Sequence, residues 1–436
     1  MIIWRRSATP GRAAGWNRAV PPAAVVENRM DEKRSCLAFP SRRIWLLAPV
    51  LALIPHTAAA AIRFQEHVIE KSIPGGYRVV VTDMNRDGRP DVIGLSGRGA
   101  ELYWYENPTW ERHVITGGMS RMISVAADDI DGDGIPELAL ATHFGQTDES
   151  SEGRVFHLHH QGDPRKPWQV TEFDRLATAH RLEFADIDGD GKKELINAPL
   201  TGAGARQPLF ECRTPLVFYR PGEWKRQMIF DQLDGVVHGL GTAHWDATDR
   251  AAVLTASFGG VFLHRASGGA TSAGKLEWSH QRLVAGDPAA RPKNGASEIR
   301  VGRLAGGNRF LATIEPWHGD KVAIYTLSKN SQGQEQWQRH VIDDTFQDGH
   351  AVEAADFDGD GNDEVVAGFR GEAASTYLYV AEDSRGDKWR RQDLDAGGMA
   401  AAACDIADLN ADGRLDIVCI GARTANIKWY ENLAAQ

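Results

Sequence analysis

The 436-residue chain has only four cysteines, which excludes a disulfide-framed miniature scaffold. It carries no block of lysine and arginine in its body, and its formal net charge is −10, so nucleic acid is not an expected partner. Its N-terminal apolar run, residues 44–54 (IWLLAPVLALI), has 11 residues, short of the roughly 20 that cross a bilayer. The G-x-S-x-G elbow, the Walker loop, H-E-x-x-H and C-x-x-C are all missing, so serine-hydrolase, P-loop, zincin and dithiol chemistry have no local signature. Glycine is plentiful, with 45 residues, beside 13 Trp and 42% hydrophobic residues. A chain this apolar buries a large core. Its scattered glycines suit short strands and tight turns better than a helical bundle.

Arg42 and Arg43 precede the apolar run, and small residues at A-x-A spacing follow it up to Ala61. This is the pattern of a secretory signal peptide over residues 1–61. Met30 would give an ordinary leader (MDEKRSCLAFPSRR), so translation is expected to start there, with residues 1–29 untranslated or disordered. Cys36 precedes the apolar run and is no lipoprotein cysteine. The remainder, 62–436, is expected in the periplasm or the medium with no membrane span, and holds 40 basic and 56 acidic residues.

That remainder repeats. The pattern D-x-[DN]-x-D-G-x-x-[DE] occurs at Asp83-Asn85-Asp87-Asp91, Asp129-Asp131-Asp133-Glu137, Asp186-Asp188-Asp190-Glu194, Asp356-Asp358-Asp360-Glu364 and Asp408-Asn410-Asp412-Asp416. The intervals are 46, 57, 170 and 52, and the long one fits two copies that have lost their acids, within 241–257 and 298–314. An aromatic residue repeats in phase at Phe64, Trp110, Trp168, Trp224, Trp278, Trp337 and Trp389. Both markers count seven. Strand-like runs flank each acidic loop, and a third and fourth follow, the fourth at the repeated aromatic. Seven units of four strands predict an all-β, seven-bladed propeller over 62–436. The chain opens on a fourth-strand sequence (FQEHVIEK) and ends on a third-strand one (ANIKWYEN), so pairing the two closes the ring. The blades are expected near 76–116, 120–174, 178–230, 236–284, 296–342, 348–394, and 400–432 with 62–71.

Carboxylates at positions 1, 3, 5 and 9 of a tight loop, with glycine at 6, suit a hard cation that takes six to eight oxygens. Asp-Gly is also plain turn chemistry, but five loops in register point to about five structural calcium sites. The loops DIDGDGIPELALA, DIDGDGKKELINA and DFDGDGNDEVVAG resemble the FG-GAP/VCBS repeat family. That resemblance implies a calcium-bearing propeller, but the family's Phe-Gly and Gly-Ala-Pro signatures are weak here, so an adhesion role is not carried over. Cys404 and Cys419 flank the seventh loop on adjacent strands, and a disulfide and two buried thiols both remain open.

First strands run toward the acidic loops and second strands run back. First-strand starts and second-strand ends therefore share the opposite face, near the axis. That face is expected to gather Tyr77, Arg121, His180, Arg181, His238, Glu298, Arg300 and His350, with His143, Glu315, Trp317, His318 and Arg370. The phrases TAHRLEFAD and DGHAVEAAD repeat H-x-x-E within it. Imidazoles, guanidinia and carboxylates around an opening suit proton abstraction beside a carbonyl. A histidine would be the base, and an arginine or a further divalent metal in the channel would steady the enolate. The alternative is that these histidines fill a wet channel and bond to backbone. The triplet His157, His159, His160 sits on a third strand and is expected to face solvent.

IEPWHGDKVAIYT, AHRLE and the WYEN strands are similar to the propeller of the aldos-2-ulose dehydratases and their bacterial relatives. Those proteins eliminate water or an alcohol from keto-sugars. The resemblance implies His180 or His350 as base and His318 with Arg300 on the carbonyl side, with His143 and His238 as further catalytic candidates. Tyr77, Arg121, Arg181, Trp317 and Arg370 would bind the substrate. The fungal enzyme's cupin domains have no counterpart in the seven repeats, so their isomerase activity is not implied. The expected function is a sugar-active carbon–oxygen lyase with a keto-sugar or carbohydrate partner. A non-catalytic propeller binding glycan or protein, and a polyuronate lyase using the four arginines, are the alternatives.

Overall fold

The structure, a computed structural model, describes residues 61–267 and 276–433. The expected signal peptide, with Met30 and Cys36, lies outside the described residues apart from Ala61. Every regular element among the described residues is a strand, and none of them holds a helix long and apolar enough to cross a membrane.

Seven four-stranded antiparallel sheets form, each in simple up-and-down order. Blade one runs Gly76–Thr82, Asp91–Ser96, Leu102–Glu106, Glu111–Thr116. Blades two to six begin with innermost strands Ser124–Asp128, Ala179–Ala185, Val237–His244, Glu298–Arg303 and Gly349–Ala355. Blade seven takes Ala401–Ala407, Asp416–Gly421 and Ile427–Leu433 from the C-terminal end and its outer strand, Arg63–Glu70, from the N-terminal end. The register runs from Arg63 opposite Leu433 to Glu70 opposite Ile427. The ring therefore closes as its sequence predicts. Each innermost strand touches the next, and the last touches the first.

Burial explains the strand compositions. The second strand of each blade is covered on both faces by neighbouring blades and reads as a buried run, as in DVIGLS, ELALAT and EVVAGF. The outermost strands alternate with solvent, as in RFQEHVIE and WRRQDLD. Between Val284 and Glu298 the chain adds a two-stranded ribbon, Asp287–Pro288 with Asn294–Gly295, that has no counterpart in the repeat.

Two features were not legible in the repeat. First, the innermost strands of blades one, three, four, six and seven carry a register shift near their start, at Tyr77, His180, His238, His350 and Ala402. Second, an acid from one blade's outer strand clamps the next blade. Asp174 accepts from Tyr219 (2.5 Å) and Arg226 (2.7 Å). Asp343 takes Tyr379 (2.7 Å) and Arg391 (2.9 Å), and Asp395 takes Tyr430 and Lys428 (2.8 Å each). The carboxylates sit at buried blade junctions, and each is satisfied by a hydroxyl and a cation, so burial does not strand a charge.

Cys404 lies directly opposite Cys419 with Cα atoms 4.1 Å apart, and the two form a disulfide. Cys212 is free.

Removing one clamp hydroxyl tests the junction's worth. Tyr379→Phe is expected to lower the unfolding free energy by about 1.5–3 kcal/mol, the usual range for a hydrogen bond to a charged group. Chemical denaturation measures it, and an unchanged midpoint would mean that the clamp adds nothing.

Candidate functional site

A β-bulge turns its extra residue out of the ladder and re-aims its side chain. Here the bulged residues Tyr77, His180, His238 and His350 turn toward one another at the head of the inner ring. The His238 ring centroid lies 4.8 Å from His180, 4.7 Å from His350 and 4.8 Å from His318. The Tyr77 ring stands edge-on to His350 at 5.1 Å. His318 arrives from the hairpin after Arg309–Glu315 of blade five, at φ 49°. Asp348 precedes blade six's inner strand at φ 64°. Such left-handed backbone is uncommon outside glycine and marks sites held by their surroundings.

One imidazole tautomer is set by a hydrogen bond. His350 Nδ1 lies 2.5 Å from the Ala402 carbonyl, which can only accept, so Nδ1 carries the proton and the buried Nε2, without a hydrogen-bond partner, presents a lone pair. His238 Nδ1 lies 2.8 Å from Glu298 Oε1 and 3.2 Å from the Ser297 hydroxyl. His318 Nδ1 lies 3.2 Å from Asp348 Oδ1 and 3.4 Å from an Arg370 nitrogen, and Arg370 also gives Nε and a terminal nitrogen to Asp348 at 3.2 and 2.9 Å. The Nε2 atoms of His238 and His318 face each other 3.1 Å apart. One nitrogen from each ring lies within 4.8 Å of the other two.

Lone pairs facing one another repel unless a proton or a metal sits between them. Three imidazole nitrogens about 2.0–2.1 Å from a tetrahedral zinc stand about 3.3 Å apart. Acceptors behind the distal Nδ1–H groups are the usual support of metal-binding histidines. The donor set fits a divalent transition metal with an open coordination position.

The other groups sit around this point. His180 Nε2 bonds the Tyr77 hydroxyl at 2.9 Å, while its buried Nδ1 has no partner. Arg181 pairs with Glu298 at 2.7 Å and donates to the His238 carbonyl at 3.1 Å. Trp317 lies beside His318, with ring centroids 4.9 Å apart, and packs edge-on to Phe210. Burial, reinforced by nearby Arg181 or Arg370, holds His180, His238 and His350 well below the ordinary imidazole range, and His318 is lowered to about 4.

Four expected members stand apart. Arg300 is bound through Nε and a terminal nitrogen to Glu353, at 2.7 and 2.8 Å, in a half-buried tier with Arg78 and Asp405. In the repeated H-x-x-E, Glu353 takes Arg300, while Glu183 accepts from Thr242 at 2.5 Å. His143 turns at φ 53° to the Thr142 hydroxyl, with Arg154, Glu152 and Arg121 as charged neighbours. Arg121 is exposed and bonds the Ser150 carbonyl. Glu315, expected on this face, is fully buried and held by Tyr325 and Arg339. Sequence reasoning missed Asp348, whose place just before Gly349-His350 was its only signal, and the Ala402 carbonyl, which had none.

The five acidic loops share one geometry. The ninth-position acid accepts the second-position backbone N–H in each: Asp91 from Met84, Glu137 from Ile130, Glu194 from Ile187, Glu364 from Phe357 and Asp416 from Leu409, at 2.8–3.1 Å. The sixth-position glycines lie at φ 84–92°, which only glycine adopts freely. Glu364 Oε1 is buried without a partner, and burial with Asp358 nearby pushes this carboxyl up to about 8. An unpaired buried oxygen above Asp356, Asp358 and Asp360 fits a calcium ion. The triplet beside the second loop departs from the expected solvent-facing strand. His160 is buried, and its Nδ1 accepts the Gly162 N–H at 3.0 Å. The proton is therefore on Nε2, which faces Asp133 and Glu137 at 3.5 Å as a donor and not as a ligand.

Residues 83–140 match the FG-GAP-like repeat family, and residues 152–328 match the beta-propeller domain of aldos-2-ulose dehydratase. Aldos-2-ulose dehydratase of Phanerodontia chrysosporium is 23% identical over 362 residues, which are 73% of this chain and 38% of that protein. The chain thus spans well under half of that relative's length. Among solved structures, BBS1N in its complex with ARL6DN superposes with a TM-score of 0.51 at 9% identity, over 85% of this chain and 97% of that one, and shows the shared fold. The periplasmic gluconolactonase PpgL of Pseudomonas aeruginosa superposes with a TM-score of 0.44 at 12% identity, over 83% of this chain and 95% of that one.

The histidine environment has a signed pH consequence. A ring that titrates near 4 when folded and near 6.5 when unfolded binds fewer protons in the folded state between those values, so stability falls as pH drops through that window. In metal-free protein, NMR titration is expected to find His318 neutral at pH 5.5. A midpoint near 6.5 would contradict the buried environment.

Proposed function

We propose that the protein is a carbon–oxygen lyase that removes water or an alcohol from a neutral keto-sugar at the mouth formed by His318, Trp317 and Tyr77. The observation that carries this reading is the convergence of the His238, His318 and His350 imidazoles, one nitrogen of each within 4.8 Å of the others, beside the Tyr77–His180 pair. A divalent metal held by the three imidazoles would polarise the substrate carbonyl and steady the enolate charge. His180, kept neutral by burial and Arg181, takes the proton from the carbon beside that carbonyl, directly or through the Tyr77 hydroxyl, and returns it to the departing hydroxyl or alkoxyl oxygen as the carbon–oxygen bond breaks and the carbon–carbon double bond forms. Glu298 and Asp348 hold the His238 and His318 rings in orientation. Assigning His350 to the three-imidazole group leaves His180 as the base.

Charge pairing favours a neutral substrate over a polyuronate. Arg181 is bound to Glu298, Arg300 to Glu353 and Arg370 to Asp348, which leaves only exposed Arg121 without a carboxylate among the four arginines that could meet a uronate. The similarity to an aldos-2-ulose dehydratase propeller supports the sugar class. Export through the N-terminal signal and calcium in the acidic loops complete the proposal. The loop geometry and the unpaired Glu364 oxygen support calcium.

Incubating zinc-loaded protein with keto-sugars, keto-glycosides and polyuronates tests the reading through the ultraviolet absorbance of a new conjugated double bond. Turnover of a neutral keto-sugar is expected, with His180→Ala reducing it by about 100-fold or more. A folded, metal-loaded protein inert across the panel would instead support a binding propeller, and turnover of polyuronates alone would support the uronate lyase.

A further inference from the structure

The five acidic loops are not equivalent, and the difference lies outside them. Third-strand residues Tyr105, Leu158, Tyr219, Tyr379 and Tyr430 pair with matching second-strand positions. The residue after each faces its loop's position: Glu106, His159, Arg220, Val380 and Glu431. In blades one and seven, whose loops carry Asn in place of the third-position acid, this residue is a glutamate bonded to that Asn, from Asn85 at 3.0 Å and from Asn410 at 3.1 Å. A carboxylate from the neighbouring strand thus stands beside each Asn, with Glu106 also held by Arg165 and His113 and Glu431 by His67. In blade three the residue is a cation. A guanidinium nitrogen of Arg220 lies 2.7 Å from Asp188 Oδ2, and its Nε lies 3.7 Å from Glu194 Oε1. Both carboxylates are nearly fully buried, and the arginine's guanidinium carbon lies 5.5 Å from the Phe218 ring centre.

Resting on the calcium reading of the loops, we propose that Arg220 closes the third loop in place of a cation, so that the protein binds four structural calcium ions and not five. Asp186, Asp188 and Glu194 still gather within 4.8 Å of one another, but Arg220 delivers a fixed positive charge to two of them, so a cation entering there would compete with it. The two blades that follow also close without a cation. In blade four, Asp246 accepts the Thr248 N–H at 3.0 Å and faces Arg265 at 3.5 Å. Blade five turns through two glycines and is stitched to the sixth loop by Asp363 and Asn362, which accept backbone N–H groups at 2.7 and 2.8 Å. Blades three to five therefore form a cation-independent arc. That arc carries His180, Arg181, His238, Glu298 and His318. His350 stands instead on blade six, whose loop leaves Glu364 Oε1 unpaired.

Counting bound calcium by native mass spectrometry tests this directly. Four ions are expected in the wild type and five in Arg220→Gln. Five ions in the wild type would overturn the inference while leaving the calcium reading intact, and none would overturn both. Amide hydrogen exchange with and without a chelator gives a second measurement that needs no variant. Segments 83–91, 129–137, 356–364 and 408–416 are expected to exchange at least tenfold faster without calcium, with segment 186–194 unchanged. Equal loosening of segment 186–194 would overturn the proposal.

Discussion

Seven strands must meet around one axis, and that crowding governs the rest of the molecule. The innermost strands pack against both neighbours, and they are rich in Ala, Val and Gly. Five of the seven make space near their start with a bulge, while the blade-five strand brings in Glu298 and Arg300 in unbroken register. Four of the five bulges carry Tyr77, His180, His238 and His350, and the fifth turns the Ala402 carbonyl toward His350. The site is thus a product of ring closure.

Convergence brings polar groups out of water, and the structure compensates most of them. Arg300 and Glu353 satisfy each other. Arg181 with Glu298 and Arg370 with Asp348 do the same, and both carboxylates also lie beside an imidazole Nδ1. His350 Nε2 and His180 Nδ1 are buried with no partner, as are Trp317 Nε1 and Arg78 Nε. Burial and the nearby arginines keep the three imidazoles neutral, while Glu298 and Asp348 lie beside the Nδ1 atoms of His238 and His318.

Much of this was legible in the sequence, for a physical reason: a repeat displays the same constraint seven times. The acidic turn and the aromatic that opens each outer strand share one period, so blade number, strand roles and closure followed from spacing. Strand alternation placed His180, His238, His350 and Tyr77 on one face, where the structure gathers them. Other contributions were not periodic. Arg121 and His143 adopt left-handed backbone at blade two, whose inner strand has no bulge, and turn away. Arg300 was read as a partner of His318, but its guanidinium goes to Glu353, 53 positions away. Whether Cys404 and Cys419 were bonded depended on register, which composition does not reveal. Arg220 was invisible because its loop alone is a complete acidic motif.

The claim that three imidazoles present their lone pairs to one ion is tested most directly by X-ray absorption and anomalous diffraction at the zinc edge, on protein given one equivalent of zinc. The account predicts one ion bound by His238, His318 and His350 through nitrogen at about 2.0–2.1 Å, with at least one position left to solvent. Zinc found only in the acidic loops, or no ordered zinc at all, would contradict it.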